Sequence, residues 1–248
     1  MHPTGRIGIM AAMPEELQAL LDVMPDETMV RRAGREFWVG HLHGRDVVAV
    51  LSRIGKVAAA TTSTVLLTEF GVDQLLFTGV AGGLGDGVRV GDVVVADALM
   101  QHDMDASPLF PRFELPGLGL DALSPPGALT QQVRETVERV LSEVHLEALG
   151  LGQARVHQGL IISGDQFIHC AQACAGLRQA LPQALAVEME GAAVAQVCHD
   201  FQVPYAVVRT ISDRADDDAH IDFPRFVSTV ACHYSVAIIE ALLRQMRP

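Results

Sequence analysis

Three stretches of this sequence place acids where a strand gives way to a helix or ends. In Leu185–Ala193 (LAVEMEGAA) the apolar run Leu185-Ala186-Val187 meets Glu188-Met189-Glu190 and then the small residues Gly191-Ala192-Ala193. The buried-strand run from Tyr205 ends on Ser212-Asp213, and the apolar run Ile7–Met13 is followed at once by Pro14-Glu15-Glu16. Ligands of parallel-sheet proteins sit beyond the carboxyl ends of the strands, so Glu16, Glu190 and Asp213 hold comparable places. A carboxylate offers two acceptor oxygens to a water or to a pair of sugar hydroxyls. A carboxylic acid kept protonated in a dry site can donate to a leaving group. Phe167, shortly after Gly164-Asp165, offers a ring face to a flat heterocycle. Together these parts suit cleavage of a bond between ribose and a base. Each acid taken alone also reads as a helix-start or surface group, Glu15 and Glu16 above all, because the helix dipole favours acids in a first turn.

The elements that must position these groups follow from periodicity. Residues 6–13 read as a strand buried on both faces. Pro14 suits the first position of a helix, and Leu17, Leu20, Leu21 and Met24 give that helix its inward stripe. Residues 36–40 and 46–52 read as strands joined by a turn at Gly44, and 56–70 as a helix following Gly55. The strand at 74–78 runs into Gly79–Gly87. That glycine-rich run fails as a dinucleotide fingerprint, because it leads to another strand at 90–95 instead of opening a helix. A loop that lets backbone approach a small ligand is the better reading.

Further along, helices are expected at 127–144, around Cys170 and Cys174 to Leu181, at 190–201 and at 223–246. Strands are expected at 154–163, 185–189 and 205–211. Residues 106–126 form a long proline-rich loop of the kind that is functional or interfacial, and 216–220 read as a solvated polar loop. With no repeat and no linker, the pattern predicts an α/β fold: a single domain over residues 1–248, with a large central mixed β-sheet flanked by helices.

Composition narrows the function classes. The chain is 49% hydrophobic but only 5% aromatic, so its core is built from Ala, Val, Leu and Ile. A formal net charge of -12 argues against nucleic acid, whose phosphates require clustered Lys and Arg. The four cysteines contain no C-x-x-C pair and read as buried thiols. No apolar run reaches the roughly 18 residues of a membrane helix, and no signal peptide is evident, so a cytoplasmic protein is expected. His102-Asp103-Met104-Asp105 offers mixed ligands in a row and makes a poor metal site. No metal is expected.

Eight segments in order, GIMAAMPEE (8–16), RIGKVAAA (53–60), FTGVAGGL (77–84), GDVVVAD (91–97), HDMD (102–105), GLIISGDQFI (159–168), AVEMEGAA (186–193) and VVRTISD (207–213), resemble the 5′-methylthioadenosine/S-adenosylhomocysteine nucleosidases of the nucleoside phosphorylase/hydrolase family. The resemblance covers nearly the whole chain. It implies a nucleoside phosphorylase-like fold, no cofactor, a small nucleoside thioether as substrate, and a role in by-product recycling and methionine salvage. It implies that Glu16 activates the attacking water, that Glu190 binds the ribose hydroxyls, and that Asp213, supported by Ser212, protonates adenine at N7. Phe167 would stack on adenine and the Ile168 backbone would read its edge. Met13, Ile54, Met189 and Phe223 would line the pocket for the 5′-alkylthio group, with Val80, Gly82 and Glu188 also at the substrate. A homodimer is implied, with Pro116 and, approximately, Phe110 completing the partner's pocket.

One departure stands out: Val80 occupies a position where many members carry serine. His102, Asp103 and Asp105 are expected to give structural support. The rival reading is a purine nucleoside phosphorylase, but Glu16 stands where phosphate would need cations, and a carboxylate repels it. An apolar 5′ pocket also suits a thioether better than it suits futalosine or adenosine monophosphate. A binding module that kept the fold without the chemistry would have no use for a buried acid.

Overall fold

A computed structural model describes residues 5–143, 153–214, 226 and 230–246. Nine strands among these residues form one mixed sheet in the order β2-β3-β4-β1-β5-β8-β7-β6-β9. They are β1 (Ile7–Ala11), β2 (Thr28–Arg32), β3 (Arg35–Leu42), β4 (Arg45–Leu51), β5 (Gln74–Gly83), β6 (Val93–Gln101), β7 (Val156–Ser163), β8 (Ala184–Glu188) and β9 (Tyr205–Asp213). A further pairing of β9 with β5 brings the sheet back on itself, so that β5, β8, β7, β6 and β9 form a closed ring of strands. The remaining four strands extend from β5 as an open wing.

The helices are α1 (Pro14–Leu21), α2 (Lys56–Glu69), α3 (Gly127–Glu143), α4 (Ala171–Ala180), α5 (Gly191–Phe201) and α6 (Cys232–Gln245). They cover both faces, as strands buried on two sides demand. Val133, Val137, Ile238 and Leu242 pack from α3 and α6 on one side, while Leu66, Val194 and Cys198 pack from α2 and α5 on the other. Each such aliphatic side chain taken from water contributes roughly 1.5–3 kcal/mol before chain entropy is counted.

Two departures from the sequence reading matter for the site. First, β5 does not stop at Thr78. It continues as buried strand through the glycines to Gly83, and there its partners change. Up to Ala81 it runs parallel to β9; after a register shift Gly82 meets both Asp213 of β9 and Val187 of β8. The glycine-rich run is thus not a loop at its start: close packing requires it. A Cβ on Gly79 would stand 2.6 Å from that of Ala12, beside the Arg209 guanidinium. Second, the edge strand β2 escaped sequence reading because four of its five residues are exposed, and it exists through antiparallel pairing with β3.

The next strand begins at Val93, not at 90, and continues to Gln101. Of the four cysteines, Cys174, Cys198 and Cys232 are buried, whereas Cys170 is only partly so, at the start of α4. The loop at 216–220 and the first residues of the helix expected from 223 lie outside the described residues, and α6 has its bounds at Cys232 and Gln245. No helix among the described residues is long and apolar enough to cross a membrane.

Candidate active site

The carboxyl ends of six strands meet around one cavity of about 420 Å³, most of whose lining is apolar. Ala12 and Met13 follow β1, Ile54 follows β4, and Val80 to Gly82 belong to β5. Gln166 to Ile168 follow β7, Val187 to Glu190 close β8, and Ser212 and Asp213 end β9. The register change at Gly82 brings Val187 and Asp213 to opposite sides of one glycine, where no side chain blocks the floor.

Asp213 is 5% exposed, and one of its oxygens, Oδ2, accepts a 2.7 Å hydrogen bond from the Ser212 hydroxyl. Glu190 is the residue preceding α5, and its Oε1 accepts a 2.8 Å hydrogen bond from the Gly55 N–H. Burial, reinforced by the neighbouring charge of Glu188, pushes the Glu190 carboxyl up to about 7, against the pull of that N–H and of Arg209. Phe167 is 45% exposed at the mouth of the cavity and Ile54 71% exposed, so both apolar groups face outward as well as in.

Glu16 does not line the cavity, although Met13, which bonds it, does. Its Oε2 accepts from the Met13 N–H at 3.1 Å, as a third-position acid reaching back to cap its own helix does. Its Oε1 accepts from the Ser235 hydroxyl of α6 at 2.6 Å. At 1% exposure, burial pushes the carboxyl above its usual range, and the Ser235 hydroxyl, the Arg209 charge and the backbone of Met13 and Ala12 only partly offset it.

Glu188 has a different kind of place. Its carboxylate accepts from the Ser163 hydroxyl, from the Gly191 N–H at 2.8 Å, from the Glu190 N–H at 3.1 Å, and from the Arg209 guanidinium at 2.8 Å. Its oxygens cap α5 and neutralise a wholly buried arginine, so it shapes the cavity wall and carries charge already committed to protein donors. Arg209 in turn stacks over Phe77, 4.0 Å from the ring centre.

Thus Met13, Ile54, Val80, Gly82, Phe167, Ile168, Glu188, Met189, Glu190, Ser212 and Asp213 come together from six chain segments. Phe110 and Pro116 are exposed on the 106–126 loop and do not line this cavity, and Phe223 lies outside the described residues. Sequence reasoning missed Arg209, Ser163 and Ser235. An arginine inside the apolar run VVRTIS was a readable signal, since a charge there must be paired. Ser235 offered none, because it reaches Glu16 across 219 positions.

A family model described as the phosphorylase superfamily matches residues 6–244. The chain belongs to the phosphorylase superfamily. Among solved structures it is similar to the 5′-methylthioadenosine/S-adenosylhomocysteine nucleosidase of Neisseria meningitidis in complex with methylthio-immucillin-A, at 32% identity and a TM-score of 0.86, over 98% of this chain and 100% of that one. The Streptococcus pneumoniae nucleosidase in complex with 8-aminoadenine gives 33% identity and 0.86, over 97% and 100%. A futalosine hydrolase of Helicobacter pylori gives 32% and 0.85, over 97% and 98%. For a phosphorylase-superfamily member the cavity has a notable wall: among the described residues, no lysine or arginine lines it.

Proposed function

We propose that this chain is a nucleosidase that hydrolyses the N-glycosidic bond of 5′-methylthioadenosine and S-adenosylhomocysteine, releasing adenine and a 5-thioribose product. The observation that carries the reading is the meeting of Asp213, Glu190 and Phe167 in one apolar cavity, with Glu16 hydrogen-bonded to Met13 of its lining.

As the glycosidic bond loosens, the ribose gains positive charge and the purine gains electrons. Asp213 gives its proton to the purine N7 and leaves it a neutral base, the Ser212 hydroxyl holding the carboxyl in orientation. Glu190 accepts from the ribose hydroxyls, and its charge favours the developing cation. A water at the sugar's other face attacks C1′ and loses its proton to Glu16, which its bond to the Met13 N–H keeps next to the lining. Phe167 stacks on the purine and the Ile168 backbone reads its edge, while Met13, Ile54 and Met189 take the alkylthio group. Phosphate instead of water would need cations, and among the described residues no lysine or arginine lines the cavity.

The exposed apolar side chains Ile54, Val57, Leu109 and Phe110 fit burial by a second copy. We assign the chain as a homodimer whose 106–126 loop, with Phe110 and Pro116, completes the partner's pocket. Such a product set belongs to thioether recycling and methionine salvage.

Likeness to a futalosine hydrolase makes futalosine the competing substrate. Adenine release from both thioethers, and hypoxanthine-base release from futalosine, measured with and without phosphate, decides between them. Phosphate-independent release with kcat/KM highest on a thioether is expected. Release that requires phosphate, or a preference for futalosine, would overturn the substrate assignment.

A further inference from the structure

The segment Ile54-Gly55-Lys56 turns two successive backbone N–H groups onto two different acids. Gly55 N–H donates to Glu190 Oε1, and Lys56 N–H donates to Asp165 Oδ1, each at 2.8 Å. Only glycine holds this turn comfortably: its φ is +93°, and a Cβ there would stand 3.0 Å from Asp165 Oδ1. Asp165 opens the 165–168 segment that carries Phe167 and Ile168. Its own N–H donates at 3.0 Å to Asp103 Oδ2. Asp103 Oδ1 then accepts from the Lys56 ammonium at 2.5 Å, which returns the path to its start.

Lys56 is thus met twice, through its backbone and through its side chain, and the bonds close a ring through Asp165 and Asp103. The ammonium also donates to Gln101 Oε1 at 3.0 Å, and Gln101 donates to Gln196 of α5 at 2.8 Å. The ring therefore fastens together the start of α2, the end of β6, the segment after β7 and the helix that follows Glu190. Its ion pair is partly shielded, with the Lys56 side chain only 16% exposed. Burial raises the Asp103 carboxyl, but the Lys56 hydrogen bond, the Asp165 N–H and the charges of Lys56 and His102 outweigh it and hold it below its usual range.

We propose that Lys56, Asp103 and Asp165 are positioning residues, whose closed hydrogen-bonded ring fixes the distance between the ribose-binding carboxylate of Glu190 and the purine platform at Phe167–Ile168. This rests on the roles given to Glu190 and Phe167 above. None of the three touches substrate. They act by holding the Gly55 N–H on Glu190 and the 165–168 backbone against β6, so that both ends of a nucleoside are met at one spacing.

Lys56→Met removes the ammonium from Asp103, and Asp103→Asn leaves one acceptor oxygen where the ring uses two, so each opens the ring and should lower kcat/KM about 10- to 100-fold, most of it in kcat, as a misplacement near 1 Å does. Glu190 faces Glu188 on β8, Arg209 on β9 and the Gly55 N–H. Loosening that last donor weakens a group favouring the ionised form, so the acid limb of the kcat/KM profile should move to higher pH by roughly one unit, part of the about one to two units that a whole hydrogen bond to a charged group is worth. The double variant should be no worse than the poorer single one. Hydrogen exchange at the Gly55 amide reads the ring without turnover and should quicken in both variants. Unchanged exchange, a wild-type acid limb, or losses that multiply in the double variant would overturn the ring. A wild type inactive on every nucleoside would instead overturn the substrate reading, with exchange still deciding the ring. Thermal melting confirms the fold of each variant, and Asp103→Asn, being nearly isosteric, serves if Lys56→Met does not fold.

Discussion

Glu190 keeps its proton to about pH 7 because burial and the Glu188 charge oppose ionisation. Glu16 is raised in the same direction by burial. In the roles proposed for them both must be ionised, so kcat/KM should fall as pH drops below about 7, with an acid limb that steady-state assays from pH 5 to 9 will locate. A limb near 4.5 would contradict the burial of both groups. The same shift has a cost in stability. An unfolded glutamate releases its proton near 4.5, so between that value and about 7 the folded chain binds more protons than the unfolded one. Stability on this account falls as pH rises through the window. Glu190→Gln, which cannot ionise, should therefore raise Tm at pH 8 and change it little at pH 4. A calorimetric gain that does not grow with pH would remove the assignment. Sequence alone placed this carboxylate at a strand end. Its raised pKa was not legible, because it rests first on burial, which only the fold imposes, and is set against a Gly55 donor 135 positions away.

At the scale of elements, strand–helix alternation was readable from apolar runs and from Pro14 and Gly55. The failures lay where tertiary packing overrides local preference. Glycine weakens a strand, which argued for ending β5 at Thr78. The strand nevertheless continues, because Gly79 lies against Ala12 and Arg209 with no room for a side chain. β2 failed for the opposite reason, having almost no buried face to give it a period. Gly79→Ala should consequently destabilise the chain by about 1–3 kcal/mol, as overpacking does, and should lower turnover by displacing Ala12 and with it Met13, which bonds Glu16. Urea unfolding checks the first effect; a midpoint equal to that of the wild type would show that the strand tolerates a methyl group there. Glu188 belongs to this scale as well. The sequence marked it as an acid beside Glu190, yet only the fold shows its oxygens capping α5 and pairing with Arg209.

For the molecule as a whole, the closure of β5, β8, β7, β6 and β9 sets the ends of β5, β7, β8 and β9 beside those of β1 and β4 from the open wing, so that six strand ends distant in sequence meet around one cavity. Pattern could supply a mixed sheet and the acids at its strand ends. It could not supply the return of β9 onto β5, or the bond from the Ser235 hydroxyl to Glu16, since both are contacts between remote segments. The exposed Ile54, Val57, Leu109 and Phe110 lead to the expectation of a dimer in light scattering at micromolar concentration, and a monomer would contradict the shared-pocket assignment. The proposed mechanism turns on a proton passing from Asp213 to the purine. It is tested most directly by adenine release from methylthioadenosine by Asp213→Asn, alongside wild type of equal Tm. A fall in kcat of about 10²–10⁴-fold or more, with substrate still bound, is predicted; a wild-type rate in that variant would contradict the account.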